Sequence, residues 1–271
     1  MLSKYLYIPF VLLGIALLYL TWEVGERFAV YLIPVVLIVA TIYILSPQID
    51  WWAANRKTPV LDEPLQKLLS RMPFFFGLSA KEKTLFAQRV VLFMMAKDWQ
   101  VRGMETIPED AKFAVAVSAL QLSFRDKNYL LDPFEHVVFY PTIFPSPMYP
   151  KIWHSSEIEL EDGVVIFSLE HLMKGFLKPR QYFSSGIYES ARMRMHLRGR
   201  PKVDLDDDFW ERVQAIGPFY RAYIEQWVGL PESELDLQAV LLVYYFSFTD
   251  AFRQMEPDWA SALEQWLGSA R

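Results

Sequence analysis

The chain has 271 residues, of which 53% are apolar and 16% aromatic, so it can bury a sizeable core in one or two domains and is not a disordered protein. A formal net charge of −5 argues against nucleic-acid binding through a whole-protein field, and no nucleic-acid partner is expected. The absence of cysteine excludes disulfides, cysteine metal sites and thiol nucleophiles, which leaves carboxylates and the histidines His136, His154, His171 and His196, no two of them four residues apart.

Two uncharged runs come first, Tyr5 to Tyr19 and Phe28 to Leu45, and each is long enough for a membrane helix. Leu20 and Thr21 extend the first, giving spans at about residues 5–21 and 28–45 within a two-helix transmembrane hairpin over residues 1–55. Tyr5, Tyr7, Tyr19 and Trp22 flank one span and Tyr31, Tyr43, Trp51 and Trp52 the other, as an interfacial aromatic belt does. No small-x-small cleavage site follows the first run, which argues against a signal peptide. The connector from Trp22 to Arg27 is net acidic, whereas Lys4 precedes the first span and Arg56, Lys57 and Lys67 follow the second. The positive-inside rule therefore predicts an integral protein of the inner (cytoplasmic) membrane with its C-terminal domain facing the cytoplasm. Pro9 and Pro34 are expected to kink the spans; neither span carries an ionisable residue, so nothing points to a channel or pump.

Residues 59–271 read as one domain without repeats or low-complexity tracts. Ser79 and Glu82 have capping-box spacing ahead of a helix running through Met95, and a second apolar helix is expected from about Ala111 to Leu122. Strands are predicted at Val137–Tyr140 and Gly163–Ser168, the latter entering a short helix from Leu169 to Gly175. A central helix over Ser184–His196 follows, then helices over Asp208–Trp227 and Leu235–Phe252, and a last one opened by Pro257. The order defines an α+β class: a transmembrane hairpin, then a mostly helical domain with a small β-sheet.

Within the central helix the residues Tyr188-Glu189-Ser190-Ala191-Arg192 have the spacing of H-E-x-x-H, which places two imidazoles on one helical face around a zinc ion with a glutamate beside its water. The acid is present, but the imidazole positions hold a phenol and a guanidinium. Further segments match in order: His136-Val137-Val138-Phe139-Tyr140-Pro141 with Phe144, Ile166-Phe167-Ser168-Leu169 with Gly175, Pro179, and Ala239-Val240-Leu241 with Tyr244-Tyr245-Phe246-Ser247. Together these resemble the Mlc titration factor A family, cytosolic zinc metallopeptidases of the gluzincin type, over about residues 60–267. The resemblance implies a zinc-peptidase-like fold with Glu189 at the general-base position and Tyr188, Arg192 and Asp236 at the three metal-ligand positions. A family tyrosine, a candidate transition-state hydrogen-bond donor, falls on Gly229.

These substitutions lead to the expectation of a degenerate, membrane-anchored member: a pseudopeptidase without a cofactor that binds a protein partner or peptide in the old cleft through Tyr188, Glu189, Arg192 and Asp236. Arg192 is expected to replace the metal charge between Glu189 and Asp236. The alternative is an active metallopeptidase with a displaced zinc site, in which His136, His154 and His171 converge with Glu189 or Asp236. A third reading takes Arg194, Arg198, Arg200 and Lys202, with Arg192 and His196 nearby, as a basic cluster for anionic lipid or phosphate, although Asp204, Asp206, Asp207 and Asp208 follow at once.

Overall fold

A computed structural model of the chain describes residues 2–146 and 152–268, which form two compact units, Met1–Val60 and Leu61–Arg271. The first contains α1 (Ser3–Leu6), α2 (Ile8–Glu23), a 3-10 segment (Glu26–Tyr31), α3 (Leu32–Ile44) and α4 (Ser46–Arg56). Helical residues run over Ser3–Glu23 and Glu26–Ile44, 21 and 19 residues with mean hydropathies of 1.8 and 2.2, so both are long and apolar enough to cross a membrane. Almost none of this apolar surface is buried within the protein. Pro9 is the second residue of α2 and Pro34 the third of α3, first-turn positions where a missing N–H breaks no intrahelical bond. The expected kinks are therefore displaced: the break at Tyr7 and the change from 3-10 to α-helix at Tyr31 come just before the prolines. Ser3 donates from its amide (2.9 Å) and hydroxyl (2.7 Å) to the Asp50 carboxylate on α4, tying the two ends of this unit together.

The second unit begins with α5 (Glu63–Leu69), α6 (Pro73–Phe76) and α7 (Ala80–Ala96), the last opened by the predicted capping box between Ser79 and Glu82. It continues through β1 (Asp98–Val101), α8 (Glu109–Ser123), β2 (His136–Tyr140), β3 (Phe144–Pro145), β4 (Trp153–His154), β5 (Ser156–Glu159), β6 (Val164–Ser168), α9 (Leu169–Leu177) and α10 (Ser185–Arg198). The chain ends its described part with α11 (Phe209–Ile216), α12 (Arg221–Val228), α13 (Leu237–Ser247), α14 (Thr249–Met255) and α15 (Pro257–Trp266). The main sheet has the order β1-β2-β6-β5; β1, β2 and β6 run parallel, with β5 antiparallel at the edge. A parallel neighbour needs a crossover, and α8 supplies it between β1 and β2.

Two expected helices are each broken in two. Asp208–Trp227 divides into α11 and α12 at Gly217-Pro218, where the Phe248 ring lies so close that a Cβ on Gly217 would come within 2.5 Å of it. Leu235–Phe252 divides into α13 and α14 at Phe248, the residue that fills that space.

Helix α10 sits between two apolar cores. Ile187, Tyr188, Ala191 and Met195 pack with α11, α12, α13 and α15, while Met193 joins the core formed by α7, α8, α9 and the sheet. It starts where the Ser184 hydroxyl accepts the Ile187 amide and stops at Gly199, whose φ of 79° suits glycine. Buried on both sides, α10 has to neutralise its own charges. Arg194, 1% exposed, forks onto Asp126 through Nε (2.7 Å) and Nη2 (3.1 Å), donates to the Trp266 carbonyl (3.0 Å) and stacks 3.9 Å from the Trp266 ring centroid. This pair fastens α15 and the end of α8 to α10. Asp126→Ala should destabilise the protein by about 3–5 kcal/mol, the range for orphaning a buried charge, in urea unfolding in mild detergent. A loss of under about 1 kcal/mol, the surface-pair value, would contradict this role.

Candidate functional site

The candidate site lies where edge strand β5 runs beside α10. Tyr188 and Arg192, four apart, share a face of α10, and Glu189 turns toward β5. Glu189 has no solvent exposure, and both of its carboxylate oxygens are engaged. Ser156 Oγ donates to Oε1 (2.7 Å), and Arg192 Nη1 donates to Oε2 (2.9 Å). Complete burial pushes the Glu189 carboxyl above its usual range, against the opposing pull of Arg192 and Ser156. Burial also works against the Arg192 charge, but Glu189, Tyr188 and Asp236 outweigh it and hold the guanidinium above its ordinary value.

Tyr188 is fully buried, and its hydroxyl oxygen accepts the Asp236 amide (3.1 Å). Burial pushes the phenol far above its usual range, so its proton is held tightly. The Arg192 guanidinium carbon stands 5.7 Å from its ring centroid. Asp236 occupies a different role from the one expected. Its carboxylate caps α13 by accepting the Ala239 amide (3.2 Å) and takes a bidentate bond from Arg200, at 2.7 and 3.0 Å. Arg192 therefore does not bridge Glu189 and Asp236 as expected: it bonds Glu189, and the Asp236 charge reaches it only through the field. At Gly229, φ is 87° and a Cβ would meet the Trp153 carbonyl at 2.2 Å, so this backbone has no room for any side chain there.

The basic run is not one cationic face. Arg194 is buried on Asp126, Arg198 Nε lies 3.6 Å from the same carboxylate, Arg200 is committed to Asp236, and Lys202 alone of the four is exposed without an ion pair among the described residues. The histidines are also dispersed. His136 pairs with Asp98 (3.0 Å), His154 is buried beside Phe144, His171 meets Ser168 (3.0 Å) and the Trp227 edge, and His196 packs on Phe134. Among the described residues, no three His, Asp or Glu side chains group where they could hold a metal ion. Sequence reasoning missed Ser156, the partner of Glu189, and placed Arg200 in a basic cluster without its pairing to Asp236. The alternation in Ser156-Glu157-Ile158-Glu159, buried at Ser156 and Ile158, was the available signal for β5.

The site thus sets an acid-bearing helix beside the antiparallel edge strand of a mixed sheet, in a domain that its sequence family marks as zinc-peptidase-like. The sequence model of the glucose-regulated metallo-peptidase M90 family matches residues 49–192, just over half of the chain, and the chain belongs to that family. The match takes in Tyr188, Glu189 and Arg192 and ends before Gly229 and Asp236, whose correspondences rest on the shorter resemblance. Among curated proteins and solved structures, none matches the chain.

Removing Arg192 leaves Glu189 with one hydroxyl partner in a dry site. Arg192→Ala should cost about 3 kcal/mol near pH 7, the lower end for breaking a buried pair because the Arg192 side chain is 23% exposed. A carboxyl whose folded pKa is raised contributes stability at low pH and loses it as pH rises through the folded value. The cost of Arg192→Ala should therefore shrink toward the usual carboxylate range, where Glu189 takes up a proton. Denaturation midpoints for wild type and variant across pH check this, and a cost that grows on acidification would contradict it.

Proposed function

We propose that this protein is a membrane-tethered pseudopeptidase that binds an extended, basic segment of a protein partner along the outer edge of β5. The supporting observation is the state of Glu189: a general base must reach a metal-bound water, and here both carboxylate oxygens already bond to Ser156 and Arg192. A catalytic zinc takes three lone-pair donors and a water. A guanidinium offers no lone pair, and a buried phenol whose oxygen accepts an amide holds its proton too tightly to serve as a ligand. These side chains do not fit the metal that the family implies.

Peptide binding is argued from the sheet edge. Among the described residues no strand pairs with the outer side of β5, so its backbone can accept an added strand. Glu159 has its carboxyl raised by burial and by neighbouring Glu157 and Asp162, with Glu161 adding to the same acidic field and Arg192 opposing it. Lysine or arginine on an incoming strand would relieve that repulsion.

The test uses the whole chain in lipid nanodiscs with a fluorescent lysine-rich peptide and an acidic peptide of equal length. The lysine-rich peptide should bind saturably, lose about tenfold in affinity on Glu159→Lys/Glu161→Lys, and remain uncut with added zinc. Zinc-dependent hydrolysis abolished by Glu189→Gln would overturn the proposal and favour an active peptidase. The positive-inside pattern further assigns the second unit to the cytoplasm. An alkaline phosphatase fusion after Arg271 should be inactive and one between Glu23 and Glu26 active; the reverse would invert the topology.

A further inference from the structure

A cavity of about 330 Å³ lies away from Glu189, lined by none of the residues of the candidate site. It is within the size range of small-molecule sites. Its walls are largely apolar, with Phe74, Phe176, Ile187 and Phe246 prominent. Its floor is polar. Ser118 on α8 and Ser247 at the end of α13 are 1% and 5% exposed, and neither hydroxyl has a hydrogen-bond partner. Buried hydroxyls in folded proteins nearly always have a partner, and leaving one without costs stability. Ser118 is packed tightly where it stands: a Cβ on Gly186 would meet its oxygen at 2.6 Å. Both hydroxyls are covered, so an occupant of the cavity supplies the missing oxygen or proton once each serine side chain turns toward it.

The rim decides the charge of the occupant. Lys178 and Arg180 line the mouth, both are exposed, and among the described residues neither has a carboxylate partner. Among the described residues, no acidic side chain lines the cavity. The N-terminus of α10, at Ser184, adds the positive end of a 14-residue helix to the same field.

We propose that this cavity binds a small organic anion: a carboxylate held by Lys178 and Arg180, joined through an aromatic or short aliphatic body to a hydroxyl that reaches Ser118 and Ser247. The carboxylate supplies charge-assisted bonds at the rim, the body covers apolar wall, and the far oxygen meets both serines as donor and acceptor. The site is independent of the peptide-binding edge of β5.

The probe is 3-(4-hydroxyphenyl)propanoate, soluble enough to be titrated calorimetrically into the full chain in nanodiscs, compared with its neutral amide and with 3-phenylpropanoate. Saturable binding at one site per chain is expected. Replacing the acid by the amide, or making Lys178→Glu/Arg180→Glu, should weaken it about tenfold, as loss of a charge-assisted bond does. Both rim residues are exposed, so the fold should persist, and an unchanged melting temperature checks that it does. Ser118→Ala/Ser247→Ala should erase the preference for the hydroxyphenyl over the phenyl compound. No saturable binding of any of the three, meaning that the cavity holds water only, would overturn the proposal. So would binding indifferent to the charge reversal, or a hydroxyphenyl preference that survives loss of both serines.

Discussion

A carboxylate with no access to water has to be matched by donors, and Glu189 is the group around which the second unit is arranged. Its burial requires Ser156 on one side and Arg192 on the other, which locks edge strand β5 to α10. Charge removed from water is expensive unless paired and hydrogen-bonded, so the sequence cannot vary one member without compensating in the others. The cation beside Glu189 comes from the same helix, three residues further on. On the proposed function, the fold keeps the position of the acid and replaces the metal charge with a guanidinium.

The same constraint recurs one turn further on. Arg194 is as buried as Glu189 and is answered by Asp126 and the Trp266 carbonyl, so successive charged residues of α10 face opposite cores, each with its own partner. Arg194 is buried on Asp126, Arg198 lies beside the same carboxylate and Arg200 is held by Asp236, which is why a run that looks cationic in the sequence is not a cationic face. The proposed binding surfaces lie elsewhere, at the unpaired edge of β5 and in the cavity lined by Ser118 and Ser247. They differ in chemistry, one acidic and extended, the other cationic at its rim and enclosed.

Much of the fold was legible because local signals agreed with it. The Ser79 and Glu82 capping box, the β-branched strands at β2 and β6, and the glycine ends of helices all gave their elements to within a few residues. Strand β5 was missed because its alternate glutamates disguise a half-buried edge strand, and β1 because four residues directly after a helix leave no periodicity to read. Gly217-Pro218 carried its own break signal, overridden in the reading by the apolar pattern on either side. The helix that carries Tyr188, Glu189 and Arg192 was legible, but the partners of these residues were not. Asp236 is followed by the Leu237–Ser247 helix and reads equally well as an N-cap, which is what it is. Its partner Arg200 is 36 residues away and Arg194's partner Asp126 is 68 away, distances over which sequence pattern specifies no contact.

The central claim is that guanidinium and phenol have replaced metal ligation at Glu189, and zinc stoichiometry measures it most directly. Intact protein purified in detergent, equilibrated with zinc, freed of loose metal and assayed by mass spectrometry should hold no stoichiometric zinc, and Tyr188→Phe should leave that result unchanged. One zinc per wild-type chain, lost on Tyr188→Phe or Glu189→Gln, would place a metal in the site and contradict the account.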